Sequence, residues 1–132
     1  MTNTKKYRST FEERVHKHLL PHCKYEPFRM KYPINTVREY IPDLVDEDRN
    51  IMWELKGYFR EREEASKYFP IIEEVKKRGY RFIFIFQNPH SRMPGVRTRK
   101  DGTKQTMSEW ADRNGLEWYS HRNVPKELRG CQ

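Results

Sequence analysis

The stretch IPDLVDEDRNIMWELKGYF, residues 41–59, decides the fold. Its second half reads as a strand, with Ile51, Met52, Trp53 and Leu55 as the apolar part. Glu54 and Lys56 interrupt that run two residues apart, so both point to the same face of the sheet. The preceding run, REYIPDLV, is a second strand, and the polar DEDRN between them is a turn. Folding the hairpin about that turn sets Asp43 opposite Trp53 or Glu54, the choice depending on whether Pro42 makes a bulge. One small hairpin therefore carries a carboxylate on one arm and a carboxylate with an amine on the other.

Working outward, YRFIFIFQN is almost wholly apolar and reads as a buried central strand. Between the two, REREEASKYFPIIEEVKKRG is helical in composition. Pro70 is expected to break or kink it, or to start a second helix, and Gly79 to stop it. Strand, helix and strand in this order imply a crossover and a parallel pair. Upstream, STFEERVHKHLL is a short helix with Phe11, Val15 and Leu19 at fourfold spacing, capped by Ser9 or Thr10. KYEPFRMKYPI is extended but limited to an edge or bend by Pro27 and Pro33. Downstream, PHSRMPGVRTRKDGTKQ is a basic loop and TMSEWADRNG a helix capped by Thr106 with Glu109. LEWYS is a last strand, and VPKEL a terminal helical turn. The fold class is α/β, a mixed sheet flanked by helices in one domain spanning residues 1–132, with residues 1–8 as a basic arm.

Composition bounds the function. The 132 residues hold 27 Lys and Arg against 19 Asp and Glu, a net charge of +8, which points to a polyanionic partner, most often nucleic acid. No apolar run approaches the length of a membrane span, and the first ten residues have no apolar centre of the secretory kind, so a cytoplasmic protein is expected. Cys23 and Cys131 read as free thiols, with no cysteine-based zinc site, and the five histidines form no metal set by spacing. Trp53, Trp110 and Trp118 read as core.

Two carboxylates converging on one spot repel each other unless a cation neutralises them, and carboxylate oxygens are what magnesium prefers. A lysine beside the ion can orient a water, take its proton, or stabilise charge on a phosphate. These are the parts of a metal-dependent phosphodiesterase. A further carboxylate would come from Glu12 or Glu13 on the first helix, although either can serve merely to close a capping box. For Glu54 and Lys56 alone, a charge set on a solvated sheet face is the ordinary alternative. It is the addition of Pro42-Asp43 at hairpin distance, on a basic chain, that favours a nuclease.

The Pro42-Asp43 and Glu54-Leu55-Lys56 set matches the PD-(D/E)-x-K nuclease pattern. With YRSTFEERV, IPDLV, IMWELKG, TMSEWADRNGLEW and VPKEL in this order, the chain from Tyr7 to Leu128 resembles the phage endonuclease I family of Holliday-junction resolvases. The resemblance implies a restriction-endonuclease-like fold, an intertwined homodimer, and magnesium-dependent cleavage of branched DNA, with manganese as a substitute. It implies Glu12, Asp43, Glu54 and Lys56 as catalytic residues, the three carboxylates as metal ligands, and Glu12 acting on the partner's site. For DNA contact, the basic candidates are Lys5, Lys6 and Arg8 in the arm, Arg38 before the hairpin, and Arg92, Arg97, Arg99, Lys100 and Lys104 in the loop. The alternatives are another nuclease of the same superfamily, of mismatch, nicking or restriction type, and a non-catalytic nucleic-acid-binding module.

Overall fold

The computed structural model describes residues 6–33 and 36–130. Its strands are β1 (Lys24–Tyr25), β2 (Met30–Pro33), β3 (Val37–Tyr40), β4 (Leu44–Asp46), β5 (Ile51–Lys56), β6 (Arg81–Phe86) and β7 (Glu117–Ser120). Its α-helices are α1 (Thr10–Arg14), α2 (Arg62–Ser66), α3 (Tyr68–Lys77) and α4 (Met107–Arg113). Five strands form one mixed sheet in the order β1-β4-β5-β6-β7, and β2 and β3 form a separate antiparallel pair. β5, β6 and β7 run parallel, joined by crossovers through α2–α3 and α4; the β5–β6 pair is the one expected from the sequence.

The core divides along the period of two in β6. Phe82, Phe84 and Phe86 face one side, with Val45 and Met52, beneath Ile71, Ile72 and Val75 of α3 and Trp110 of α4. Ile83 and Ile85 face the other, with Leu44, Ile51, Trp53 and Leu55, beneath Phe11 and Val15 of the first helix and Leu128 near the C-terminus. Covering both faces explains why RFIFIF is apolar after its first residue, each fully buried side chain contributing roughly 1.5–3 kcal/mol. Trp53 and Trp110 are core residues as expected, while Trp118 is half-buried and stacks on Phe86.

Three local outcomes differ from the reading of the sequence, each for a physical reason. REYIPDLV is not one strand: β3 pairs with β2, and the chain then passes to β4 in the main sheet. Pro42 lies at this change of sheet, where its missing N–H removes no ladder bond. The helix break falls at Lys67, before Pro70, which sits at the third residue of α3, where no intrahelical N–H is yet needed. The first helix is α-helical only to Arg14 and closes with a π-turn, Val15–Leu19, in which the Leu20 N–H bonds the Val15 carbonyl. The wider turn slips the register by one residue, so Leu20 rather than Leu19 is fully buried. Gly79 ends the crossover at φ +83, a left-handed conformation natural to glycine.

Candidate active site

Leu44 pairs with Trp53, so the residue before β4 continues opposite Glu54. Asp43 is that residue, and the register lets its Oδ2 accept the Leu55 N–H at 2.8 Å while its carbonyl accepts the Glu26 N–H. Glu54 follows Met52 on the face covered by α3, not on a solvated face, and is 6% exposed. The ordinary reading of Glu54 and Lys56 as an exposed charge set therefore does not hold.

A carboxylate placed among phenylalanines needs donors, since burying an ion without them costs several kcal/mol. Two tyrosines supply them. Tyr40, the last residue of β3, donates its hydroxyl to Glu54 Oε1, and Tyr68, the first residue of α3, donates to Oε2 at 2.7 Å. Lys56 Nζ stands 3.9 Å from the same Oε2 and 4.0 Å from Glu64 Oε2, over the rings of Phe59 and Tyr68. Tyr40, Tyr68 and Glu64 have no motif in the sequence, because only the packing of β3, α2 and α3 brings them to Glu54 and Lys56.

The two glutamates of the first helix have different surroundings. Ser9 caps α1 by accepting the Glu12 N–H, but the Glu12 carboxylate does not close the box. Its Oε1 accepts the Tyr25 hydroxyl at 2.7 Å and the Arg8 N–H at 3.1 Å, inside the protein. Glu13 points outward and pairs with Lys17. Glu12, Asp43, Glu54 and Lys56 all line one cavity of about 360 Å³, with Arg8, Tyr40, Glu64, Lys67 and Tyr68. Glu12 reaches it from its own chain's helix.

The electrostatics show a site with surplus negative charge. Burial, then repulsion by Glu54, holds the Asp43 carboxyl well above the usual range; the Leu55 N–H and Lys56 oppose this, while Glu12 adds to it. Burial also raises Glu54, against the pull of Lys56 and the two tyrosine hydroxyls. Tyr40 and Tyr68 are raised by burial and by Glu54, which keeps them as proton donors. An all-oxygen pair with unbalanced charge fits a hard cation such as magnesium, which needs few protein ligands and retains waters. Asp43 and Glu54 would hold it. Glu12 shares the cavity and would face the ion's waters or a second ion.

The basic candidates are distributed unevenly. Lys5 lies outside the described residues, and Lys6 is exposed. Arg8 is not part of a free arm: its guanidinium pairs with Glu26 at 3.0 Å and borders the cavity. Arg38 lines a groove of about 920 Å³ with Arg29 and Lys67, and this groove shares Tyr32, Glu39, Ile41, Glu64 and Lys67 with the carboxylate cavity. In the loop, Arg92, Arg97 and Lys100 are exposed, Lys104 is half-buried, and Arg99 is paired with Glu109 at 2.8 Å. The loop is folded back by the bond from Met93 N–H to the Gln105 carbonyl, and Gly95 packs on Arg62 of α2, the helix that carries Glu64.

Neither the models of known protein families nor the curated proteins include a match to this chain.

Proposed function

We propose that the protein is a metal-dependent endodeoxyribonuclease acting on branched DNA, with Asp43, Glu54 and Lys56 as its central residues and Glu12 beside them. The observation that supports this reading most strongly is the gathering of those four side chains around one cavity, where two of the carboxylates are buried and raised in pKa. A fold gains no stability from such a pair, whereas a phosphodiesterase needs it.

Magnesium, or manganese in its place, would be held by Asp43 and Glu54 and would supply an activated water and charge neutralisation at the phosphate. Tyr40 and Tyr68 favour the ionised form of Glu54 and fix its orientation. Lys56 stands no closer than 3.9 Å to the Glu54 carboxylate, so its ammonium is available to a phosphate oxygen or an attacking water. Glu12, held by Tyr25, faces the same space and can orient a second water. The groove carrying Arg38 and Lys67 leads the sugar-phosphate backbone to the cavity, with affinity arising mainly from phosphates. Preference for branched over linear DNA rests on the sequence resemblance, as does a homodimer, whose two-fold axis would supply two sites for paired cuts.

The test compares a four-way junction, a mismatched duplex, a nicked duplex and a plain duplex, each with magnesium and with chelator. Cutting confined to the junction supports the resolvase reading. Magnesium-dependent cutting of another substrate class makes the protein a different nuclease on the same scaffold. Tight, salt-sensitive binding with no cutting in any divalent ion makes it a binding module and refutes the enzyme.

A further inference from the structure

At the end of β4 remote from Asp43, His22, Cys23 and Asp46 bring one imidazole nitrogen, one thiol sulfur and one carboxylate oxygen to within 4.8 Å of one another. The sequence alone suggests no such set, because His22 and Cys23 precede β1 while Asp46 ends β4, and only the pairing of Lys24 with Val45 joins them. We propose that His22, Cys23 and Asp46 form a zinc-class metal site that clasps the end of the first helix to the β4–β5 turn. This proposal is independent of the nuclease reading.

The donor set suits a borderline-soft ion, since thiolate and imidazole favour zinc or cobalt over magnesium. The spacing is close to that of bound ligands. Bond lengths near 2.0–2.3 Å place tetrahedral ligands roughly 3.3–3.8 Å apart, and His22 Nε2 already lies 3.3 Å from Asp46 Oδ2. Cys23 and Asp46 are buried, while the more exposed His22 leaves an entry path. The imidazole is held in place as well: Gly130 passes so close that a Cβ there would sit 2.7 Å from His22 Nδ1, leaving Nε2 toward the carboxylate. The competitor is Arg49, whose backbone N–H and guanidinium both bond Asp46 at 3.1 Å. Its side chain is 42% exposed and can swing into water, so an ion displaces it at little cost. Binding releases the Cys23 thiol proton to solvent.

Cobalt is the probe. The full chain, stripped with chelator and kept reduced, is titrated with Co2+ and followed in the near ultraviolet for a thiolate-to-cobalt charge-transfer band. The expected result is a band saturating at one ion per chain, displaced by zinc, lost in Cys23→Ser and retained in Glu54→Gln. His22→Gln should weaken binding at least about tenfold, and Arg49→Ala should strengthen it severalfold. No band in the wild type at saturating cobalt overturns the proposal, as does a band that survives Cys23→Ser. If Cys23→Ser does not fold, His22→Gln decides, and an unchanged titration in that variant also overturns it.

Discussion

Glu54 occupies a position that the alternation of β5 assigns to the core, between Met52 and the open end of the sheet. The tyrosine pair keeps it there, and the consequences are measurable. Glu54→Gln should lower junction cutting by at least about a thousandfold, as expected when several kcal/mol of charge stabilisation is removed, while junction affinity on a native gel stays within a few-fold. Tyr68→Phe removes one donor and no bulk, and should weaken Mn2+ binding by roughly 10–100-fold in a direct titration. Asp43 carries a prediction for stability. Its folded-state pKa is raised, so the folded chain binds the proton more tightly than the unfolded one. In chelator, stability then falls as pH rises from the unfolded value of about 4 through the raised folded value. Asp43→Asn removes Asp43's share of that dependence. Thermal melts in chelator should show the variant more stable than wild type at pH 8 and the difference shrinking toward pH 5, although the variant cuts nothing.

At the scale of elements, the first helix and the basic loop each carry a prediction. Because the π-turn moves Leu20 into the core in place of Leu19, Leu20→Ala should cost about 2–5 kcal/mol in chemical denaturation and Leu19→Ala distinctly less. Fourfold spacing in the sequence points to Leu19, and no side-chain pattern marks where a helix widens. The hairpin is legible because period two, a polar turn and Pro42 are local signals, and they bring Asp43, Glu54 and Lys56 together. Its depth is not legible. Whether Glu54 meets water or Tyr40 and Tyr68 depends on where β3 and α3 pack, and nothing in the hairpin itself dictates that. The parallel pairing of β5 with β6 follows from strand, helix and strand in sequence and from the apolar Phe82–Phe86 run, whereas the place of β7 beside β6 and the split of REYIPDLV between two sheets depend on tertiary packing. In the loop, Arg99 is engaged with Glu109 but Arg97 and Lys100 are exposed. Replacing those two with glutamine should weaken DNA binding and flatten the dependence of log affinity on log salt by ~0.9 for each phosphate they neutralise.

At the scale of the whole molecule, no helix among the described residues is long and apolar enough to cross a membrane, and the chain is strongly basic. Glu12 lines the cavity of its own chain, so a single chain brings the four residues together. Mixing Glu12→Gln with Glu54→Gln protein should then restore no cutting, since every site keeps one lesion; recovery would show that the first helix is exchanged between partners. Asp43, Glu54 and Lys56 are the proposed cleavage site. Its most direct measurement is a labelled four-way junction incubated with wild type, Glu54→Gln and Lys56→Ala, in magnesium and in chelator, with binding followed on the same samples. Paired magnesium-dependent cuts by wild type alone are expected, with all three proteins shifting the junction on a native gel. Junction bound by folded wild-type protein but left whole at every magnesium and manganese concentration would contradict that assignment.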